Sequence, residues 1–294
     1  RRSTDLGILR KLFRAQPTPT ADGAFSPSPL AIKLGTSSTT DYDGGAHAKT
    51  YAGKKNRVLM VCSEQRNMTM ANGKKFSTGN HPVEMGLPML HLMSAGFEID
   101  VVTPTGAPVA IEEWAMPADD AEIQKLFRDF AGAFQNPGSL ADFAVGKMTD
   151  DAPYAAVFIP GGHGAMLGLP DNADLGKVLH WAHNTGLHTL ALCHGPAALL
   201  AAKSDAGFLY DGYKIAVFPD AVDKQTPMIG YLPGPMPWWV CEKLTALGVE
   251  TINKKADNSV HVDRRLVTGA SPQAANNFGR VAATTLLKRT EANS

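Results

Sequence analysis

Short apolar runs without alternation, each followed by a helix-like stretch, recur along most of this chain. That rhythm constrains the fold more than any other feature. RVLMVCS (57–63), EIDVVTP (98–104), AAVFIP (155–160), TLALC (189–193) and KIAVFP (214–219) read as strands. Apolar residues at both odd and even positions mark strands buried on both faces. Between them, PVEMGLPMLHLMSAG (82–96) and residues 171–186, 194–203 and 238–247 read as helices. Pro82 in a first turn and Gly96 past a last turn are ordinary helix punctuation. VETIN and RLVTG are late strands, and SPQAANNFGRVAATTLLKR (271–289) closes the chain with Ser271 as N-cap and Pro272 at N1. Strands alternating with helices predict an α/β fold with a parallel sheet covered on both faces.

Two stretches break the rhythm. Residues 1–56 include QPTPTADGAFSPSP and GTSSTTDYDGGA, whose Pro, Ser, Thr and Gly predict a largely irregular N-terminal extension. Its first residues, RRSTDLGILRKLFRAQ, lack the continuous apolar core of a signal peptide and read as a short helix packing on the body. Residues 111–150 interrupt the alternation, and DDAEIQKLFRDFAGAF puts Ile123, Phe127, Phe130 and Phe134 near one face of a helix. We expect an inserted cap there, dividing an α/β core of residues 57–110 and 151–290; an ordinary peripheral helix fits the same pattern.

Composition narrows the function. Lys plus Arg and Asp plus Glu both total 28, so no basic excess points to a nucleic-acid partner. No run of about 18 apolar residues suggests a membrane span. The cysteines, Cys62, Cys193 and Cys241, are odd in number and far apart, which predicts no disulfide framework and a reducing, cytoplasmic setting. No CxxC or HExxH marks a local zinc site.

In an open parallel sheet, ligands bind outside the carboxyl ends of the strands. Four post-strand loops should therefore gather at one edge. They are STGNHPVE, ending in Glu84; GGHGAM, with Gly161, Gly162 and His163; Cys193–His194–Gly195; and PDAVDKQ, with Asp220 and Asp223. Cys193 lies on a strand-to-helix hinge, which makes it a candidate nucleophile rather than a packing residue. A helix N-terminus should lower its thiol pKa. His194 needs an orienting carboxylate, and either Asp220 or Asp223 is placed to serve. Backbone N–H groups at Gly161, Gly162 and His194 could bind an oxyanion. His163 is a candidate for substrate binding, against the plainer expectation of an exposed loop histidine. Glu84 could stand against the sulfur, its pKa raised by a crowding thiolate, or could merely stabilise a helix N-terminus.

FIPGGHGAMLGLP, LALCHGPAALLA, FPDAVDKQTPMIGYLPG and FSTGNHPVE together resemble the ThiJ/PfpI superfamily. They are most similar to its bacterial branch described as heat-shock chaperone, glyoxalase III and protein deglycase. The resemblance runs from about residue 40 to the C-terminus. It implies a flavodoxin-like three-layer α/β sandwich with a nucleophile elbow and a small cap, usually as a homodimer. It matches Cys193, His194, Asp223 and Glu84 to the family's catalytic residues, selecting Asp223 over Asp220. The branch also carries a metal site of two histidines and one carboxylate. Here Met93 and Phe130 stand where the histidines should be and only Glu98 matches. Zinc wants several N or S donors, so neither metal nor other cofactor is expected.

The resemblance implies an enzyme, a lyase or hydrolase, acting on a small reactive dicarbonyl such as methylglyoxal without glutathione. The product is a 2-hydroxy acid, D-lactate from methylglyoxal. The same chemistry on a glycated amine would be deglycation. The alternative from another class is a holdase chaperone binding unfolded proteins. A cysteine peptidase ranks lower, because a small capped pocket excludes long peptides. An amidotransferase would place its histidine and glutamate late in the chain, whereas HPVE comes before the cysteine.

Overall fold

The computed structural model describes residues 15–47 and 50–292. The expected first helix lies almost wholly outside them. The centre is a seven-stranded sheet: β1 (Arg57–Val61), β2 (Glu98–Thr103), β3 (Gly138–Ser139), β4 (Tyr154–Ile159), β5 (His188–Leu192), β6 (Val260–Asp263) and β7 (Leu266–Gly269). Their order is β6-β7-β5-β4-β1-β2-β3. All neighbours run parallel except β6 and β7, which form an antiparallel hairpin at one edge.

The missing alternation in the strands has its reason in the layers. In β1, Val58 and Met60 face one side and Leu59 and Val61 the other, and all four are fully buried. Helices α1 (Pro82–Ser94) and α3 (Ala275–Ala292) cover the first face with Phe158, Leu190 and Val267 beneath them. Helix α2 (Ala173–Asn184) and a 3-10 helix, Gly195–Ala202, cover the second over Val157, Ile159 and Ala191. Gly279 lets α1 and α3 approach: a Cβ there would lie 2.7 Å from the His91 ring and 3.0 Å from Pro88 Cα. This is the flavodoxin-like α/β sandwich that the motifs implied. Among the described residues, no helix is long and apolar enough to cross a membrane.

The strand expected at 214–219 is not part of the sheet. Only Lys214–Ile215 is extended and paired, with Glu250–Thr251. Side chains replace a neighbouring strand beyond that point. Ala216 N–H donates to Thr268 Oγ1 at 2.9 Å, and Asn253 bonds both the N–H and the carbonyl of Val217 at 3.0 and 2.8 Å. The helix expected at 194–203 is the 3-10 segment, and the hairpin strand β6 had no clear signal.

Residues 111–150 pack on α1 and lengthen the sheet. Ile123, Leu126 and Phe134 are buried against α1, where a Cβ on Gly86 would meet Ile123 Cδ1 at 2.6 Å. Gly138–Ser139 then supplies β3 beside Val102 and Thr103. Residues 15–56 contribute strands Thr18–Pro19 and Phe25–Ser26 to a small sheet with Met68–Thr69 and Lys75–Phe76. They also form a helix, Pro29–Gly35, capped by Ser28.

Candidate active site

Cys193 follows β5 directly and has φ +60°, a left-handed conformation that a non-glycine residue adopts only under constraint. The constraint is visible on both sides. Cys193 N–H donates to Gly269 O of β7 at 2.8 Å, and its carbonyl accepts from Phe218 N–H at 3.0 Å. The sharp turn presents the sulfur at the carboxyl edge of the sheet, as a nucleophile elbow requires.

Adjacent residues on a turn often diverge, but here His194 Nδ1 lies 3.4 Å from Cys193 Sγ. Its other nitrogen, Nε2, is 2.8 Å from Asp223 Oδ2. Asp223 carries a second imidazole as well, with His163 Nε2 3.0 Å from Oδ1. The glycine-loop histidine is therefore buried and bonded, not exposed. Its ring lies 3.9 Å from that of His194, and Phe218 stacks on the far side of His194 at 4.6 Å. Burial works against charge on Asp223, but the two imidazoles outweigh it and hold the carboxyl well below its usual range. Asp220 does not face the imidazoles. Its carboxylate caps the helix Val240–Thr245, accepting from the N–H groups of Cys241 and Glu242 at 2.9 and 3.0 Å.

Glu84 enters from the first turn of α1 and is fully buried. Neither of its oxygens accepts from an N–H of the helix, so it is not a helix cap; its contact is with the Cys193 thiol. It faces the nucleophile: a Cβ on Gly161 would fall 1.7 Å from Glu84 Oε2 and 2.7 Å from Cys193 Cβ. Glycine at 161 is thus what allows acid and sulfur to share one space. Gly162, at φ +99°, is confined by Gly79 O and His81 N, 2.4 and 2.7 Å from where its Cβ would stand. Its N–H faces the Cys193 sulfur and favours the thiolate.

The Cys193 thiol shifts opposite to expectation, while Glu84 shifts upward as expected. Burial pushes the Cys193 thiol well above its usual value, and the carboxyls of Glu84 and Asp223 add to the rise. The helix-terminus effect expected from sequence does not overcome a side chain that is 3% exposed. Glu84 is also raised far above the usual range, but by burial first; contact with the thiol acts the other way. Both shifts favour the neutral forms, a thiol beside a carboxylic acid.

A further buried acid had no sequence signal. Glu112 comes from the segment after β2, accepts from Thr78 Oγ1 at 2.6 Å, and lies against the His163 loop. Tyr231, from the PMIGYLPG stretch, has its ring 6.0 Å from that of His163; burial raises its phenol, and the nearby acids add to the rise.

His163, His194 and Asp223 are close enough to share a cation, their ligand atoms lying within 4.8 Å of one another. Both Nε2 atoms are already bonded to the carboxylate, which fits a proton relay better than a metal centre. At the place where the resemblance suggested a metal, Met93 is partly exposed and Glu98 is engaged by Arg57 at 2.6 Å. Phe130 packs on Phe134. That donor set does not suit zinc.

A family model described as DJ-1/PfpI family matches residues 76–224. The chain is 46% identical over 279 residues to a protein from Pseudomonas aeruginosa (strain UCBPP-PA14) named protein/nucleic acid deglycase HchA; the match covers 92% of this chain and 96% of that protein. A protein of the same name from Escherichia coli (strain K12 / DH10B) is 45% identical over 266 residues, covering 90% and 93%. Among solved structures, glyoxalase III from Candida albicans superposes with a TM-score of 0.62 at 25% identity, covering 79% of this chain and 98% of that one.

Proposed function

Because this chain belongs to the DJ-1/PfpI family, we propose that it is a glutathione-independent glyoxalase that converts 2-oxoaldehydes to 2-hydroxy acids through Cys193. The carrying observation is the line of contacts from Cys193 Sγ to His194 and from His194 to Asp223, with Glu84 facing the same sulfur.

The sequence of steps follows from those positions. Nδ1 of His194 takes the thiol proton as the sulfur bonds to the aldehyde carbon. Asp223 stabilises the imidazolium, and Glu84 gives its proton to the aldehyde oxygen. The product is a hemithioacetal, stabilised as it forms by the Gly162 N–H beside the sulfur. Glu84, now a carboxylate, removes the C1 proton, and the imidazolium protonates the C2 oxygen to give an enediol. Glu84 returns the proton to C2 and takes the one on the C1 oxygen, leaving a thioester. Water, with His194 as base, cleaves the C–S bond and releases the 2-hydroxy acid and the thiol. One carbon is oxidised and its neighbour reduced, so no external redox agent enters.

The same attack on the carbonyl adduct of an amine is deglycation, the activity named for the two bacterial relatives. The test is loss of methylglyoxal and appearance of lactate without glutathione, with wild-type and Cys193→Ala proteins. We expect turnover only in the wild type, and equal turnover in both refutes the mechanism. If Cys193→Ala still suppresses aggregation of a heat-denatured protein while the wild type shows no turnover, the holdase reading replaces this one.

A further inference from the structure

Glu112 is 1% exposed, yet the steps above do not use it. Its Oε1 accepts from the Thr78 hydroxyl at 2.6 Å, and the N–H groups of His163 and Gly79 face the carboxylate. It is held under the relay by a stitched backbone. Asn80 bridges Ile111, Glu112 N–H donates to Asn80 O at 3.1 Å, and Asn80 N–H donates to Ala110 O at 2.7 Å. The same 79–81 stretch accepts from Gly164 N–H at 3.0 Å and donates to Gly161 O at 2.9 Å. The acid and the glycine loop that carries His163 are thus fastened to one strip of chain.

We infer that Glu112 is a positioning residue whose charge governs how the negative charge of Asp223 is divided between His163 and His194. This rests on the relay assigned above. A neutral Glu112 leaves Asp223 to polarise His194. An ionised Glu112 draws positive charge onto His163, which then claims a larger share of the carboxylate at their 3.0 Å bond. His194 becomes a weaker base toward the Cys193 thiol. An ionised Glu112 also opposes negative charge on Glu84.

Burial moves the Glu112 carboxyl up to about 7, while His163, the Thr78 hydroxyl and the facing N–H groups of His163 and Gly79 pull it down. The change therefore falls in the neutral range. The other groups around it are Glu84 on α1, Tyr231 across the site, His81 and Arg66. Burial raises the Glu84 acid and the Tyr231 phenol, and pushes His81 down to about 3. Arg66 bonds the Ile111 carbonyl at 3.2 Å.

The test compares wild type with Glu112→Gln from pH 5.5 to 9. The ratio of kcat/KM, variant over wild type, should rise roughly five-fold between pH 6 and 8.5, since a coupling near one pKa unit is about ten-fold at its limit. A ratio independent of pH overturns the inference. A second measurement needs no turnover: 15N resonances of the His163 and His194 rings in the wild type should inflect together near pH 7. Glu112→Gln should abolish that inflection. Should that variant not fold, Thr78→Val should move the inflection to higher pH by removing a donor to the carboxylate, and an unmoved one refutes the inference. Inflecting rings in a protein inactive on every 2-oxoaldehyde would count against the proposed reaction, not against Glu112.

Discussion

Replacing Gly161 with alanine perturbs the site by one methyl group, and its consequences can be worked from distances. The new Cβ would stand 1.7 Å from Glu84 Oε2, 2.6 Å from Leu192 O and 2.7 Å from Cys193 Cβ. No real Cβ tolerates such contacts. Leu192 O belongs to β5 and cannot retreat without moving the strand, so Glu84 and the Cys193 turn must give way. Overpacking a close-packed site costs about 1–3 kcal/mol, and displacing reacting groups by about 1 Å costs about 100-fold in rate. We therefore expect Gly161→Ala to fold with a lowered Tm and to lose about 100-fold in kcat on methylglyoxal. Gly132→Ala is the control, because a Cβ there meets nothing within 4 Å and the helix Ala131–Gln135 accepts alanine. It should keep full activity. Steady-state assays beside thermal melts decide the matter. Wild-type kcat in Gly161→Ala would refute the shared acid–sulfur space on which the mechanism stands.

Two further outcomes follow from the buried acids. Asp223→Asn should leave the fold in place, as judged by circular dichroism, but lower kcat by about 10²–10⁴, since an amide neither stabilises the His194 imidazolium nor fixes its tautomer; a loss below three-fold would remove Asp223 from the relay. Folding raises the Glu112 carboxyl from its usual 4.5 to about 7, so the folded chain holds that proton more tightly. Its stabilising effect is complete below 4.5 and is lost as pH climbs to 7, about 3 kcal/mol in all. Denaturant melts should accordingly show Glu112→Gln gaining about that much relative to wild type between pH 4.5 and 7.5; a constant difference contradicts the buried acid.

The layers were legible because doubly buried strands cannot hide. Val58 to Val61 are apolar on both faces since helices lie on both. The convergence of Glu84, Gly161, Gly162, His163 and Cys193 was legible from topology alone, because parallel strands end at the same edge. Residues 216–219 mislead because their apolar pattern is that of a strand, while Thr268 and Asn253 side chains take the hydrogen bonds a neighbour would have made. The choice between Asp220 and Asp223 has no local signature. It depends on which carboxylate faces the imidazole and which faces the N-terminus of Val240–Thr245. The direction of the Cys193 shift is not legible in sequence because burial of a side chain is a tertiary property. Glu112 is invisible for the same reason, being one of two adjacent glutamates in IEEWAM.

The small sheet outside the core has a consequence for what counts as the smallest working unit. Phe76 lies in that sheet and sets its ring edge-on against His163 at 5.5 Å. Its strand is flanked by Phe25–Ser26, with Ser77 N–H donating to Phe25 O at 2.8 Å. Ser28 ties the same arm to the other side of the site, bonding Gly230 O and Ile229 O beside Tyr231 at 2.8 and 2.7 Å. The relay is thus braced by residues that precede the first core strand. A version trimmed of the residues before Arg57 would keep every catalytic side chain and Phe76 itself, but lose the Phe25–Ser26 strand that braces Phe76 against His163. The arm is part of the catalytic architecture in the way a keystone's neighbours are part of an arch.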